Sequence, residues 1–283
     1  MTLKKRISSR FDIKGLNLVK GVNLEGLRII GLPEFFSEVY YNDGIDEIFF
    51  HDTVASLYGR NNLEQVVSLV SKKIFVPLIV GGGIRSSDDI KKILNAGADK
   101  ISINSQAIRN KKFIEENVKE FGSSTISCNI QIQKKFDGKY YCFYENGRQE
   151  TNLNPIQWAQ EVQNLGVGEI VITFINFDGT GRGFDYDFIK SIRNVIKVPL
   201  IVSGGVGNKE HVKKAFDLDV DGVSISSCFH YHYLYENFEK IKKNEFAEGN
   251  LDFILNSGNF RNENNFSISS LKKYLKEKKI NCR

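Results

Sequence analysis

The stretch Gly44-Ile45-Asp46-Glu47-Ile48 returns as Gly166-Val167-Gly168-Glu169-Ile170, 122 residues later. The same offset carries Val76-Pro77-Leu78-Ile79-Val80-Gly81-Gly82-Gly83 onto Val198-Pro199-Leu200-Ile201-Val202-Ser203-Gly204-Gly205. It also carries Ala98-Asp99-Lys100-Ile101-Ser102-Ile103-Asn104-Ser105 onto Val220-Asp221-Gly222-Val223-Ser224-Ile225-Ser226-Ser227. Three matches in one register mean that the chain is two copies of one half. Such a unit is far longer than a solenoid repeat. In a chain of 283 residues it describes one domain of two halves, the size of a (β/α)8 barrel.

Short apolar runs alternate with amphipathic stretches throughout. The runs predict strands over Arg6–Ile13, Glu47–Phe50, Leu78–Val80, Lys100–Ile103, Thr125–Gln131, Glu169–Thr173, Leu200–Val202 and Gly222–Ile225. Helical periodicity lies between them, over Pro33–Asn42, Leu63–Lys72, Ser86–Asn95, Lys111–Glu120, Pro155–Leu165, Tyr186–Ile196 and Lys209–Phe216. Ser86 ahead of Asp88 and Asp89 is a capped helix start, and so is Asn154 ahead of Pro155. Four units per half predict an α/β fold, a TIM barrel of two half-barrel repeats filling residues 1–283. An open doubly wound sheet is the alternative; its two edges fit poorly with halves so alike.

Two segments interrupt the pattern. In 133–151 the Asn146-Gly147 turn follows an aromatic run and predicts a small hairpin inserted after the fifth strand. Residues 232–266, rich in asparagine, form a second insertion after the eighth strand. Both belong on the C-terminal rim, where barrel active sites lie. The second is either a functional contact or a surface decoration.

Composition narrows the function. No apolar run reaches the roughly 18 residues of a membrane span, and the polar Ser8-Ser9-Arg10 after Met1–Arg6 is unlike a signal peptide. Cys128, Cys142, Cys228 and Cys282 are widely spaced, as in a reduced, cytoplasmic protein. A net charge of +5 suits an anionic small substrate or plain solubility, and no basic stripe with interleaved aromatics points to nucleic acid. His230 and His232 lack carboxylate or cysteine company, so no metal is expected, nor any cofactor.

Glycine turns carry the binding chemistry. Gly81-Gly82-Gly83 and Ser203-Gly204-Gly205 each end a strand before a helix start, and Asn104-Ser105 and Ser226-Ser227 end the next strands. Glycines let backbone N–H groups approach a phosphate, and a helix N-terminus adds positive potential. Loops after strands 7 and 8 are the usual phosphate site of a barrel. Its repetition after strands 3 and 4 predicts a substrate with a phosphate at each end; otherwise the glycines only make tight turns. Asp12, Asp52 and Asp178 end different strands, a catalytic pattern in this fold, although Asp52 reads better as the cap of a loop amide. Arg6, Glu47, Lys100 and Glu169 each begin a strand, at the opposite mouth. If they point inward, two cations and two anions must bond one another, because unpaired buried charge is expensive. Such a ring is a structural plug or a gate for a small neutral molecule.

On these residues the chain resembles the cyclase subunit of imidazole glycerol phosphate synthase, the synthase half of a glutamine amidotransferase. The likeness runs from Lys4 to Tyr231 and resumes at Ser270–Arg283, through Val19-Lys20-Gly21-Val22-Asn23, Val80–Ser86, Ala98–Ser105 and Asp178-Gly179-Thr180. The resemblance implies a glutaminase subunit docked under the barrel as a heterodimer, with ammonia crossing the axis. It implies that Arg6, Glu47, Lys100 and Glu169 are the ammonia gate, and that Asp99 lies at the glutaminase interface. It places Gly83, Asn104, Asp178, Gly179, Ser203, Gly204, Ser226 and Ser227 on phosphate-binding positions, and Lys20 on a mobile loop over the active site.

The family's ring closure uses two aspartates as general acid and base. Asp12 is the first; Gln131 stands in place of the second, within Cys128-Asn129-Ile130-Gln131-Ile132. A carboxamide exchanges no proton near neutral pH, and losing one positioned acid or base costs on the order of 10²–10⁴ in rate. Asn176 replaces another expected aspartate, and Ser8-Ser9-Arg10-Phe11 is bulkier and more polar than the family pattern. The gate is kept while the acid–base pair is halved. That implies a barrel that conducts ammonia to a third protein for amidation of a sugar, forming an acetamidino group, with 232–266 as the contact. A genuine cyclase of histidine biosynthesis and a non-catalytic docking scaffold are the alternatives. A related aldose–ketose isomerase shares the repeat and the paired phosphate sites but needs no charged gate.

Overall fold

The computed structural model describes residues 4–55, 63–242, 254 and 265–283. Its strands are β1 (Arg6–Lys14), β2 (Asn17–Val22), β3 (Glu25–Gly31), β4 (Glu47–Asp52), β5 (Leu78–Gly81), β6 (Lys100–Ile103), β7 (Ile126–Lys134), β8 (Tyr140–Tyr144), β9 (Gln149–Glu150), β10 (Glu169–Phe174), β11 (Leu200–Ser203) and β12 (Gly222–Ser224). Eight of them pair in parallel in the order β10-β11-β12-β1-β4-β5-β6-β7, and a β10–β7 pairing closes the ring. The chain is a (β/α)8 TIM barrel, and the open sheet is excluded.

The described helices are α1 (Pro33–Asn42), α2 (Leu63–Val70), α3 (Ser87–Asn95), α4 (Ser105–Arg109), α5 (Lys111–Phe121), α6 (Pro155–Asn164), α7 (Tyr186–Arg193), α8 (Lys209–Asp217), α9 (Ser227–Glu236), α10 (Phe238–Lys242) and α11 (Ile268–Glu277). Alternation along each strand divides two environments. Ile48 and Phe50 of β4 join the large apolar layer under the helices, while Phe49 joins Ile79, Val171 and Ile201 in a small separate cluster inside the barrel.

The repeat survives at the level of single bonds. Leu78 N–H donates to Asp99 at 2.8 Å, and Leu200 N–H donates to Asp221 at 2.8 Å. Ser86 and Asn208, 122 residues apart, both cap helices through their side chains. A Cβ on Gly82 would come within 2.5 Å of the Asp52 carbonyl, and one on Gly204 within 2.7 Å of the Phe174 carbonyl. These turns require glycine by close approach as well as by positive φ.

Three expectations change. The sequence reading places no strand in 17–31, yet β2 and β3 form an antiparallel hairpin there. Lys20 therefore lies on a strand, 2% exposed, where the resemblance puts it on a mobile loop. The inserted hairpin holds two turns rather than one: β7 runs on to Lys134 and pairs with β8, and Asn146-Gly147 joins β8 to β9. Finally, α9 continues through His232 to Glu236, so 232–236 belongs to a barrel helix. Most of the 232–266 insertion lies outside the described residues.

Candidate functional site

At the N-terminal mouth the four strand-initial charges converge. Arg6 Nη1 lies 2.5 Å from Glu47 Oε1 and 2.6 Å from Glu169 Oε2. Lys100 Nζ stands 3.4 Å from Glu169 and 3.7 Å from Glu47. Glu47 is 1% exposed, so its charge is tolerable only inside this set. Burial works to lower the Arg6 pKa, but Glu169 and Glu47 outweigh it and hold the guanidinium charged. Burial pushes the Glu47 carboxyl up despite Arg6. Glu47 Oε2 and Glu169 Oε1 have no hydrogen-bond partner among the described residues. A surface concavity lined by Lys4, Arg6, Lys100, Glu169 and Arg283 opens onto the ring. Asp99 is exposed on the same face, with one carboxylate oxygen committed to Leu78.

Above the ring, the apolar cluster shares the interior with a polar column. Ser8, Ser102, Ser127, Asn129 and Ser224 are buried, and Thr173 donates to Asn129 at 2.9 Å. Ser224 Oγ has no hydrogen-bond partner among the described residues.

At the C-terminal mouth Asp12 is 2% exposed, and its Oδ1 accepts from Arg10 Nε at 2.8 Å. Strand alternation aims both residues of β1 to the same side. Arg10 Nη2 donates to Asn146 Oδ1 at 3.3 Å. The Arg10 carbonyl accepts from Ser226 Oγ at 2.8 Å and from His230 Nε2 at 3.1 Å. His230 Nε2 must therefore carry the proton, leaving Nδ1 to accept from Tyr40 Oη at 2.6 Å. Burial, then the Lys20 charge, push this imidazole down to about 3. His51 is likewise held well below its usual range by burial and by the Arg10 charge. Gln131 is wholly buried, and neither amide atom has a hydrogen-bond partner among the described residues.

The glycine turns flank this mouth. Gly82, Gly83, Asn104 and Ser105 line a cleft of about 40 Å³, small beside the 300–1,000 Å³ of a usual ligand site. The inserted hairpin lies on it: Asn104 donates to the Phe143 carbonyl at 3.1 Å, Ser105 Oγ accepts from Glu145 N–H at 3.0 Å, and Arg109 pairs with Glu145. On the other side Ser203 and Gly204 are buried, Ser226 is tied to Arg10, and Ser227 opens α9. Asp178 is bound by Lys20 Nζ at 2.7 Å, and a Cβ on Gly179 would meet the Gly21 carbonyl at 2.7 Å. The β2–β3 hairpin thus rests on the Asp178-Gly179 turn, and Leu24 at its tip packs with Phe143 and Ile175. The two hairpins meet over the mouth.

Asp52 caps the loop amides of Val54 and Ala55, as its structural reading expects. Asn176 clasps the backbone of Lys134. His232 is half-buried beside Tyr233, and among the described residues no cluster of metal-ligating side chains occurs. No described helix is long and apolar enough to cross a membrane. The sequence reading missed His51, Asn146, Glu145 and the role of Arg10. Arg10 gave a signal, a charge inside a predicted strand, and Asn146 was noticed only as a turn residue.

The chain matches the histidine biosynthesis protein family over residues 6–234. It is 42% identical over 205 residues to a Legionella pneumophila protein named imidazole glycerol phosphate synthase subunit HisF, covering 72% of this chain and 97% of that one. Proteins of the same name from an Exiguobacterium species and from Bacillus cereus are each 42% identical; both matches cover 81% of this chain, and 89% and 91% of the relatives.

Proposed function

The chain belongs to the histidine biosynthesis protein family, with relatives named as subunit HisF of imidazole glycerol phosphate synthase, and on that premise we propose that it is the barrel subunit of a glutamine amidotransferase which conducts ammonia without closing the imidazole ring. A glutaminase docks on the N-terminal face, around the concavity above Arg6 and Lys100 and beside Asp99. Ammonia passes the four-charge ring and the serine-lined axis. A third protein takes it up at the mouth for amidation of a sugar, forming an acetamidino group.

One observation carries this reading: the gate set is complete, while the second acid–base position holds the buried amide of Gln131. Neutral NH3 needs no proton transfer to travel. The orphaned oxygens of Glu47 and Glu169, the hydroxyl of Ser224 and both atoms of Gln131 offer it hydrogen-bond stations along the interior. Ring closure, by contrast, needs two groups that exchange protons, and of the two positions only that of Asp12 keeps a carboxyl. Gly83, Asn104, Asp178, Gly179, Ser203, Gly204, Ser226 and Ser227 then hold a phosphorylated ligand or survive as the frame of the mouth.

The test supplies ammonium salt and the bisphosphorylated aminoimidazole-carboxamide ribonucleotide and measures imidazole glycerol phosphate. No turnover is expected from the natural chain, and a small gain from Gln131→Asp; turnover near that of a two-aspartate enzyme overturns the reading. Glutamine hydrolysis by the glutaminase should rise on assembly. Identity of 42% to three proteins named as the synthase subunit, with Asp12 kept, favours a second reading: a working cyclase in which Gln131 orients substrate. The same assay decides between them.

A further inference from the structure

We infer that Arg10 is a specificity-determining positioning residue: its guanidinium sequesters Asp12 in a buried ion pair, is seated by Asn146 of the inserted hairpin, and so withdraws the remaining aspartate from ring closure. The inference rests on the conducting reading above and explains how the mouth came to serve it.

Arg10 and Asp12 are 4% and 2% exposed, and the Nε–Oδ1 distance is 2.8 Å. The backbone carbonyl of Arg10 is held by Ser226 and His230, and its guanidinium by Asp12 and Asn146. Asn146 holds the far end of the fork, from a turn whose φ of 56° is left-handed. That turn is itself anchored through its neighbour Glu145 to Ser105 and Arg109. A general acid–base group must gain and release a proton, and its partner must let it. Arginine never gives up its own proton in a protein. The attraction between the two charges is strong where solvent does not screen it, and the Oδ1 of Asp12 is occupied by Arg10 Nε. Restoring an aspartate at position 131 therefore replaces one missing group while the other stays captive.

The experiment compares Gln131→Asp alone with Gln131→Asp joined to Arg10→Met, to Arg10→Lys or to Asn146→Ala, using ammonium salt and the bisphosphorylated ribonucleotide. With Arg10→Met, kcat should rise about 100-fold over Gln131→Asp alone, the span of one freed acid–base group, with KM little changed and a new ionisation in the pH–rate profile. Arg10→Lys keeps the charge and should stay within about threefold of Gln131→Asp. Asn146→Ala removes the seat without stranding a charge, and about a tenfold gain is expected; it also carries the test if Arg10→Met unfolds. Equal rates for Gln131→Asp alone and for all three combinations overturn the role of Arg10 and leave the conducting reading standing. Brisk turnover by the natural chain overturns both.

Discussion

The two ends of the barrel hold buried charge in opposite ways. At the N-terminal end two cations and two anions from four strands neutralise one another in a ring. At the C-terminal end charges pair one to one, Arg10 with Asp12 on a single strand and Lys20 with Asp178 beneath the β2–β3 hairpin, and the neighbours His51, Asn146 and Gln131 are neutral. A ring assembled across strands shares its charge among four members around the axis. A pair two residues apart on one strand fixes its members in place. On the proposed reading, the balanced ring at the N-terminal end serves conduction, while the amide of Gln131 leaves the C-terminal end short of a group that can titrate.

The comparison predicts unequal costs. Arg6→Ala leaves Glu47 and Glu169 only their longer contacts to Lys100 and should lower stability by about 3–5 kcal/mol, measured by urea unfolding at neutral pH. Asp12→Asn at the other end strands a single cation that retains Asn146 and should cost about 1–3 kcal/mol. Should Asp12→Asn prove the costlier change, the contrast between ring and pair is wrong.

Acid should reach the C-terminal end first. His230 is neutral when folded, with a pKa of about 3, and titrates near 6.5 when unfolded. Between these values the unfolded chain binds more protons, so stability falls as pH drops below about 6.5. From pH 6.5 to 5 the loss should be about 2 kcal/mol, and His230→Gln should flatten it in urea unfolding at the two pH values. The low pKa of His51 acts in the same direction. Arg6, held charged by its two carboxylates, contributes no slope there.

Smaller effects sharpen the picture. Lys100 is the outermost member of the ring, with its contacts at 3.4 and 3.7 Å, and Lys100→Met should cost only about 1 kcal/mol. Its larger consequence should be uncoupling: glutamine hydrolysed without delivery, read as the ratio of ammonia leaked to ammonia transferred. Phe136, fully exposed at the tip between β7 and β8, belongs to neither end, and Phe136→Ser should shift stability by no more than about 0.5 kcal/mol.

The barrel was legible because its signals are local and repeated. Strand starts at Arg6, Glu47, Lys100, Glu169, Leu200 and Gly222 fall where the apolar runs place them. The β2–β3 hairpin was not, since Asn17–Gly31 mixes charge, glycine and short apolar runs, and its strands exist by pairing with β1 and with each other. The four ring residues could be nominated from their positions at strand starts, but their meeting depended on closure of the sheet. Arg10 looked merely out of place, and nothing along the chain connects it to Asn146, 136 residues away.

By itself the sequence determined the period, the parallel barrel and the residue types at each strand end, because alternation and glycine turns act over a few neighbours. Only the tertiary structure decided which charges share an interior, that Lys20 is buried against Asp178, and that Arg10 holds Asp12. Those outcomes depend on distances between strands and inserted hairpins, which closing the barrel sets and no local pattern encodes.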